Sequence, residues 1–131
     1  IALYDAFIAC WDEKYRSNVV RPVTYINEHI DDKFVPFLQT PPFPEYTSGH
    51  SAITASASTV LAHIYGNNFA FRDTSDLRYI GMERNFNSFQ EAAAEASISR
   101  VYGGIHYRTG VEAGAAQSKK VGELIIAKIL K

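Results

Sequence analysis

Apolar side chains at Leu3, Phe7, Ile8, Cys10, Trp11 and Tyr15 recur at the spacing of one helical face and predict a helix over residues 1 to 17, with Lys14 near its end. Pro22 suits the first turn of a second helix, where its missing N–H costs nothing, and that helix runs through Tyr25 and Ile26 to about Ile30. Arg21 is thereby fixed at a helix entrance. Between Asp31 and Thr47, Pro36, Pro41, Pro42 and Pro44 forbid continuous helix and favour an extended, semi-rigid segment able to wall a cleft. Ser48 is a good N-cap for a helix carrying Ala52, Ile53, Ala57, Val60, Leu61, Ile64 and Tyr65, which Gly66 terminates, so His50 lies in a first turn. Residues 67 to 87 have no clean period and read as turns with a short helical piece. Ser88-Phe89-Gln90-Glu91 forms a capping box for an alanine-rich helix through Ile98 and Val101 to Gly103-Gly104, with Ser99 and Arg100 in its last turn. A final helix after His106 offers Val111, Ala115, Val121, Leu124, Ile125 and Ile129 for burial. With no convincing strand alternation, the expected fold class is all-α, a bundle of about five helices.

A length of 131 residues fits one domain, 1 to 131, small for a helical enzyme built around a buried site. The 47% hydrophobic and 21% charged shares are those of a soluble globular chain, and the net charge of -1 argues against nucleic acid or an anionic membrane as a bulk partner. The cations therefore act locally. Cys10 is the only cysteine, so an intramolecular disulfide is impossible, and a small apolar role suits it. No apolar run approaches the ~18 residues of a membrane span, and there is no signal-peptide pattern. The compartment is not specified, although a periplasmic or secreted parent is compatible with this composition. The chain opens at Ile1, inside an apolar-periodic segment without a cap, which suggests an upstream part. A five-helix piece of a larger bundle is expected to leave the Leu3, Phe7 and Ile8 face for a homodimer partner or an N-terminal segment of a parent chain.

Three segments gather the chemistry: Lys14 to Arg21-Pro22, Thr47-Ser48-Gly49-His50, and Ser99-Arg100 followed by His106. An oxyanion withdrawn from water needs several converging donors. Lys14 supplies a point charge, and Arg21 and Arg100 each supply a planar fork. The Ser48 hydroxyl, the Gly49 N–H and the positive end of the helix they open add to the same site. Two histidines, whose unperturbed pKa is ~6.5, provide acid, base or nucleophile near neutrality. His29 and His63 fit no such segment and read as surface or core residues.

The order Lys-x6-Arg-Pro, Ser-Gly-His, Ser-Arg-x5-His resembles the signature shared by the type 2 phosphatidic acid phosphatases and the vanadium-dependent haloperoxidases, over residues 14 to 106. The resemblance implies that His106 is the axial group, attacking phosphorus in a phosphatase or binding vanadate in a haloperoxidase, and that His50 is the acid/base. Trp11 and Phe43 stand where fungal chloroperoxidases border their halide site. They and the absence of a membrane span lean toward haloperoxidase-like chemistry with vanadate as cofactor and with halide and peroxide as reactants. A soluble phosphatase acting on phosphate monoesters without a cofactor, and a non-catalytic anion-binding domain, are the alternatives. Two positions depart from the family pattern: Thr47 replaces the usual Pro, and Gly110 replaces the usual Asp that would accept a bond from His106. Glu112 or a backbone carbonyl is the expected substitute.

Overall fold

The computed structural model describes residues 1–130, and its elements follow the helix signals of the chain closely. In order they are α1 (Ala2–Ser17), α2 (Pro22–His29), α3 (Gly49–Tyr65), β1 (Phe71–Asp73), α4 (Leu77–Ile80), β2 (Arg84–Phe86), α5 (Phe89–Tyr102) and α6 (Arg108–Ile129). Local chemistry sets most boundaries. Pro22 begins α2 behind Arg21, and the Ser48 hydroxyl accepts from Ser51 N–H to cap α3. Gly66, at φ 100°, ends α3 in a conformation that side chains disfavour. Ser88 caps α5 by accepting from Glu91 N–H at 3.0 Å, but Glu91 reaches back to Asn87 N–H rather than to Ser88. The capping box is therefore stretched by one residue.

The aperiodic segment holds a two-stranded antiparallel ribbon, which the alternation of the sequence did not announce. Phe71 pairs with Phe86, Arg72 with Asn85 and Asp73 with Arg84, with α4 between the strands. Strands of three residues are too short to develop a period of two. The ribbon is held by aromatic rings: Phe71 lies 5.4 Å from Phe86 and 5.2 Å from Phe89.

α3 runs through the middle of the bundle and packs against α1, α5 and α6. Its seam with α6 departs from the large apolar face expected of the last helix. Gly110, Gly114, Ser118 and Gly122, four residues apart, are the buried positions beside Val111 and Ile125, whereas Leu124 and Ile129 are exposed. Small residues let the two backbones approach. A Cβ at Gly122 would stand 2.9 Å from Ser56 O, and one at Gly114 2.7 Å from Ser48 O. α1 likewise buries Ala6, Cys10 and Lys14 and leaves Leu3, Phe7 and Ile8 at 53%, 43% and 51% exposure. Polar ties complete the frame. Gln117 donates to Ala9 O at 3.2 Å and accepts from the Thr47 hydroxyl at 3.1 Å, joining α6 to α1 and to the loop before α3. No described helix is long and apolar enough to cross a membrane.

Because the seam has no room for a methyl group, Gly122→Ala is expected to destabilise the domain by about 1–3 kcal/mol. Leu124→Ala, two residues on and on the exposed side of the same helix, is expected to cost about 0.5 kcal/mol or less. Urea unfolding midpoints of the two variants check the contrast.

Candidate functional site

The proline-rich segment between α2 and α3 brings its carbonyl groups to two buried cations. Lys14, fully buried at the end of α1, donates to Pro44 O at 2.9 Å and Glu45 O at 3.0 Å. Its ammonium also lies 5.6 Å from the Trp11 ring centre and 5.3 Å from that of Phe43. Burial, together with the repulsion of Arg21, lowers the Lys14 pKa from 10.5 to about 8 against the opposing pull of Cys10 and Glu45. Arg21, 5% exposed, donates through Nε to Phe43 O and through its terminal nitrogens to Pro44 O and Ile105 O. It also reaches His106 Nε2 at 3.0 Å. These residues would be stray surface cations without the loop. With it they are fixed.

His106, 6% exposed, sits between two partners that determine its tautomer. Its Nδ1 lies 2.5 Å from Glu45 Oε1, a group that can only accept, so Nδ1 carries the proton. On the other side Nε2 faces a guanidinium that can only donate, and therefore presents its lone pair. Burial lowers the His106 pKa below the usual histidine value, opposed by the bond to Glu45 and aided by the charges of Arg21 and Lys14. The ring is thus neutral near pH 7.

His106 is also one wall of a cleft of about 150 Å³, lined with it by Phe7, Trp11, Pro41, Phe43, Gly49, His50, Ile53, Arg100 and Ile105. Arg100 enters from the last turn of α5, and its Nε is buried with no hydrogen-bond partner among the described residues. Gly49 and His50 occupy the first turn of α3, whose leading N–H groups need acceptors outside the helix. His50 is exposed at the cleft mouth, and its pKa is lowered by partial desolvation and then by the charges of Arg100 and His106. Ser48 lies behind this turn, fully buried, its N–H donating to Gly110 O at 2.9 Å. Phe7 stacks on Trp11 at 3.9 Å and Trp11 meets Phe43 at 5.1 Å, forming an apolar wall. All nine positions singled out in the sequence therefore line this cleft or adjoin it. A larger groove of about 550 Å³ between α3, α5 and α6 is lined mainly by small residues such as Ala55, Ala93 and Ala115 and gathers none of these cations.

The chain matches, over residues 1–35 and 27–131, the family described as the VCPO second helical-bundle domain. It belongs to that family. A solved structure described as the first bacterial vanadium-dependent iodoperoxidase shares 55% identity, with a TM-score of 0.94 over 98% of this chain and 31% of its own. The holo and apo forms of a bacterial vanadium-dependent chloroperoxidase share its fold at 20% identity, with TM-scores of 0.81 and 0.79 over 94% of this chain and 33% of theirs. The chain thus spans about a third of these vanadium haloperoxidases. No curated protein matches it.

One expectation of the sequence is corrected. Glu112 does not approach His106; it lines the large groove. The partner of Nδ1 is Glu45, from the loop. Its sequence signal is slight: a lone acid after a proline, three residues before Ser48 and 61 residues from the histidine it meets.

A buried lysine with a depressed pKa carries a signature in stability. In the unfolded chain Lys14 holds its proton to about pH 10.5, in the folded chain only to about pH 8, so the unfolded state binds more protons between these values. Lys14 therefore makes stability rise with pH across that window. Urea unfolding of the parent and of Lys14→Met between pH 8 and 10 is expected to show this rise in the parent and a flatter curve in the variant.

Proposed function

We propose that this domain carries the oxyanion site of a vanadium-dependent haloperoxidase, with vanadate held against His106 and peroxide and halide as reactants. The observation that carries the reading is the buried His106 Nε2 lone pair, set against the Arg21 guanidinium, on a cleft also lined by Arg100, whose Nε is buried and unpartnered among the described residues. An unpaired, buried guanidinium nitrogen is costly unless a ligand accepts from it. The donor set suits an oxyanion. Lys14, Arg21 and Arg100 are cationic, the start of α3 adds amides, and the one carboxylate in the cluster, Glu45, is committed to His106. Bound vanadate supplies Lewis-acid activation of peroxide toward halide.

The residues then divide the work. Lys14, Arg21, Ser48, Gly49 and Arg100 hold the oxygens and neutralise their charge in a desolvated cleft. His106 offers a neutral nitrogen, fixed in direction by its two partners. His50, neutral near pH 7 because its pKa is lowered, accepts a proton from an incoming acid such as peroxide and returns it to a departing oxygen. The Phe7, Trp11 and Phe43 wall strips water from a halide beside it. The iodoperoxidase at 55% identity supports iodide as the halide. The second reading is hydrolysis of phosphate monoesters through a phosphohistidine at His106. It is favoured by the same lone pair, which suits a nucleophile as well as a ligand.

Assaying the full chain for vanadate-dependent iodide oxidation by peroxide and for p-nitrophenyl phosphate hydrolysis distinguishes the readings. Iodide oxidation that requires added vanadate supports the first. Phosphatase activity alone supports the second, and oxyanion binding without either activity leaves an anion-binding domain. His106→Ala is expected to abolish turnover. Arg100→Ala is expected to weaken vanadate binding about 30-fold, the equivalent of one charged hydrogen bond at about 2 kcal/mol. Unchanged vanadate affinity in Arg100→Ala would remove that residue from the cradle. Trp11→Ala or Phe43→Ala is expected to reduce halide oxidation more than ester hydrolysis, and equal losses would make both residues simple packing.

A further inference from the structure

Glu45 is a buried carboxylate that the ligand-facing chemistry does not use. It is 1% exposed, and its Oε1 accepts from His106 Nδ1 at 2.5 Å and from Tyr107 N–H at 3.2 Å. Its backbone is equally committed: the carbonyl accepts from Lys14 at 3.0 Å and the N–H donates to Val19 O at 2.9 Å. Room for the carboxylate exists only because residue 110 of α6 has no side chain. A Cβ there would stand 2.7 Å from Glu45 Oε2 and 2.8 Å from Cδ, with Oε1 nearer still. The departure at Gly110 and the acid at Glu45 are therefore two halves of one arrangement, brought together by the fold from distant parts of the chain.

We infer that Glu45 is the positioning residue for His106: seated in the space left by Gly110, it holds the imidazole as the Nδ1–H tautomer and aims Nε2 into the oxyanion cleft. This rests on the oxyanion reading given above. The alternative tautomer would set a lone pair against the carboxylate and an N–H against the Arg21 guanidinium, an arrangement repulsive at both nitrogens. Arg21 alone does not secure the ring, because the same guanidinium also serves Phe43 O, Pro44 O and Ile105 O, whereas Glu45 Oε1 serves only His106 Nδ1 and the adjoining Tyr107 N–H. A carboxylate behind a ligating histidine also raises the electron density at the opposite nitrogen.

The test uses the full chain with orthovanadate and with inorganic phosphate in calorimetric titrations, together with the ¹⁵N and ¹H resonances of the His106 ring at fixed pH. Glu45→Gln and Glu45→Ala are expected to weaken binding of both oxyanions about 10- to 100-fold. The Nδ1-bound proton, deshielded by the carboxylate, is expected to move upfield in both. Gly110→Asp alone is expected to weaken binding as well, since its Cβ takes the space of the Glu45 carboxylate. In Glu45→Ala/Gly110→Asp the acid returns to the same space from α6, and most of the lost affinity is expected to return with it. Parent-like affinity and an unmoved Nδ1 proton in Glu45→Gln would overturn the assignment. So would a double variant with the parent's far-UV spectrum that binds no better than Glu45→Ala. If the parent itself bound neither oxyanion, the proposed function would fail, while the Nδ1 proton would still decide the role of Glu45.

Discussion

Two fully or nearly buried cations in a chain this short need acceptors, and the helices cannot supply them because their carbonyls are already engaged. The segment between α2 and α3 meets that need. Its prolines keep it extended, so the carbonyls of Phe43, Pro44 and Glu45 remain free and point at Lys14 and Arg21. The loop is thus more than a wall. It lets the cations sit inside the protein, with Arg21 set against Nε2 of His106. The same stretch contributes Phe43 to the aromatic face and the Glu45 side chain to His106.

The second constraint is the closeness of α3 and α6. Glycine and serine along α6 bring the Ser48 turn against Gly110, where Ser48 N–H meets Gly110 O. The start of α3 and the residues behind His106 are consequently held by direct backbone contact rather than through long side chains. Side chains can change rotamer; a backbone seam cannot without parting the helices. That rigidity suits the proposed oxyanion site, whose groups would have to converge before an anion enters.

Much of the helical frame was legible because its punctuation is local. Pro22, Ser48, Gly66 and Ser88 each act on residues within a turn of themselves, and each stands where an element begins or ends. The order of the cationic and histidine segments was likewise readable, and the fold gathers those positions around one cleft. What escaped was non-local or too short. The ribbon strands have no room for alternation, and the α6 seam is written in small residues that a search for large apolar side chains passes over. Glu45 was invisible for the same kind of reason. Nothing near it in sequence announces a histidine 61 positions away, and the glycine that admits it reads as a missing acid until the two are seen together.

The ribbon between α3 and α5 has a different bearing on the molecule. Strands β1 and β2 pair with each other, and aromatic rings tie them to the start of α5, while α4, between the strands, packs against no other element. The backbone thus leaves the bundle and returns at nearly the same place. Lengthening such an excursion adds only a logarithmic entropy cost, because the ends that must meet are already clamped. This is the part of the chain where evolution can add or remove residues, or graft a new surface, without moving any group that surrounds His106.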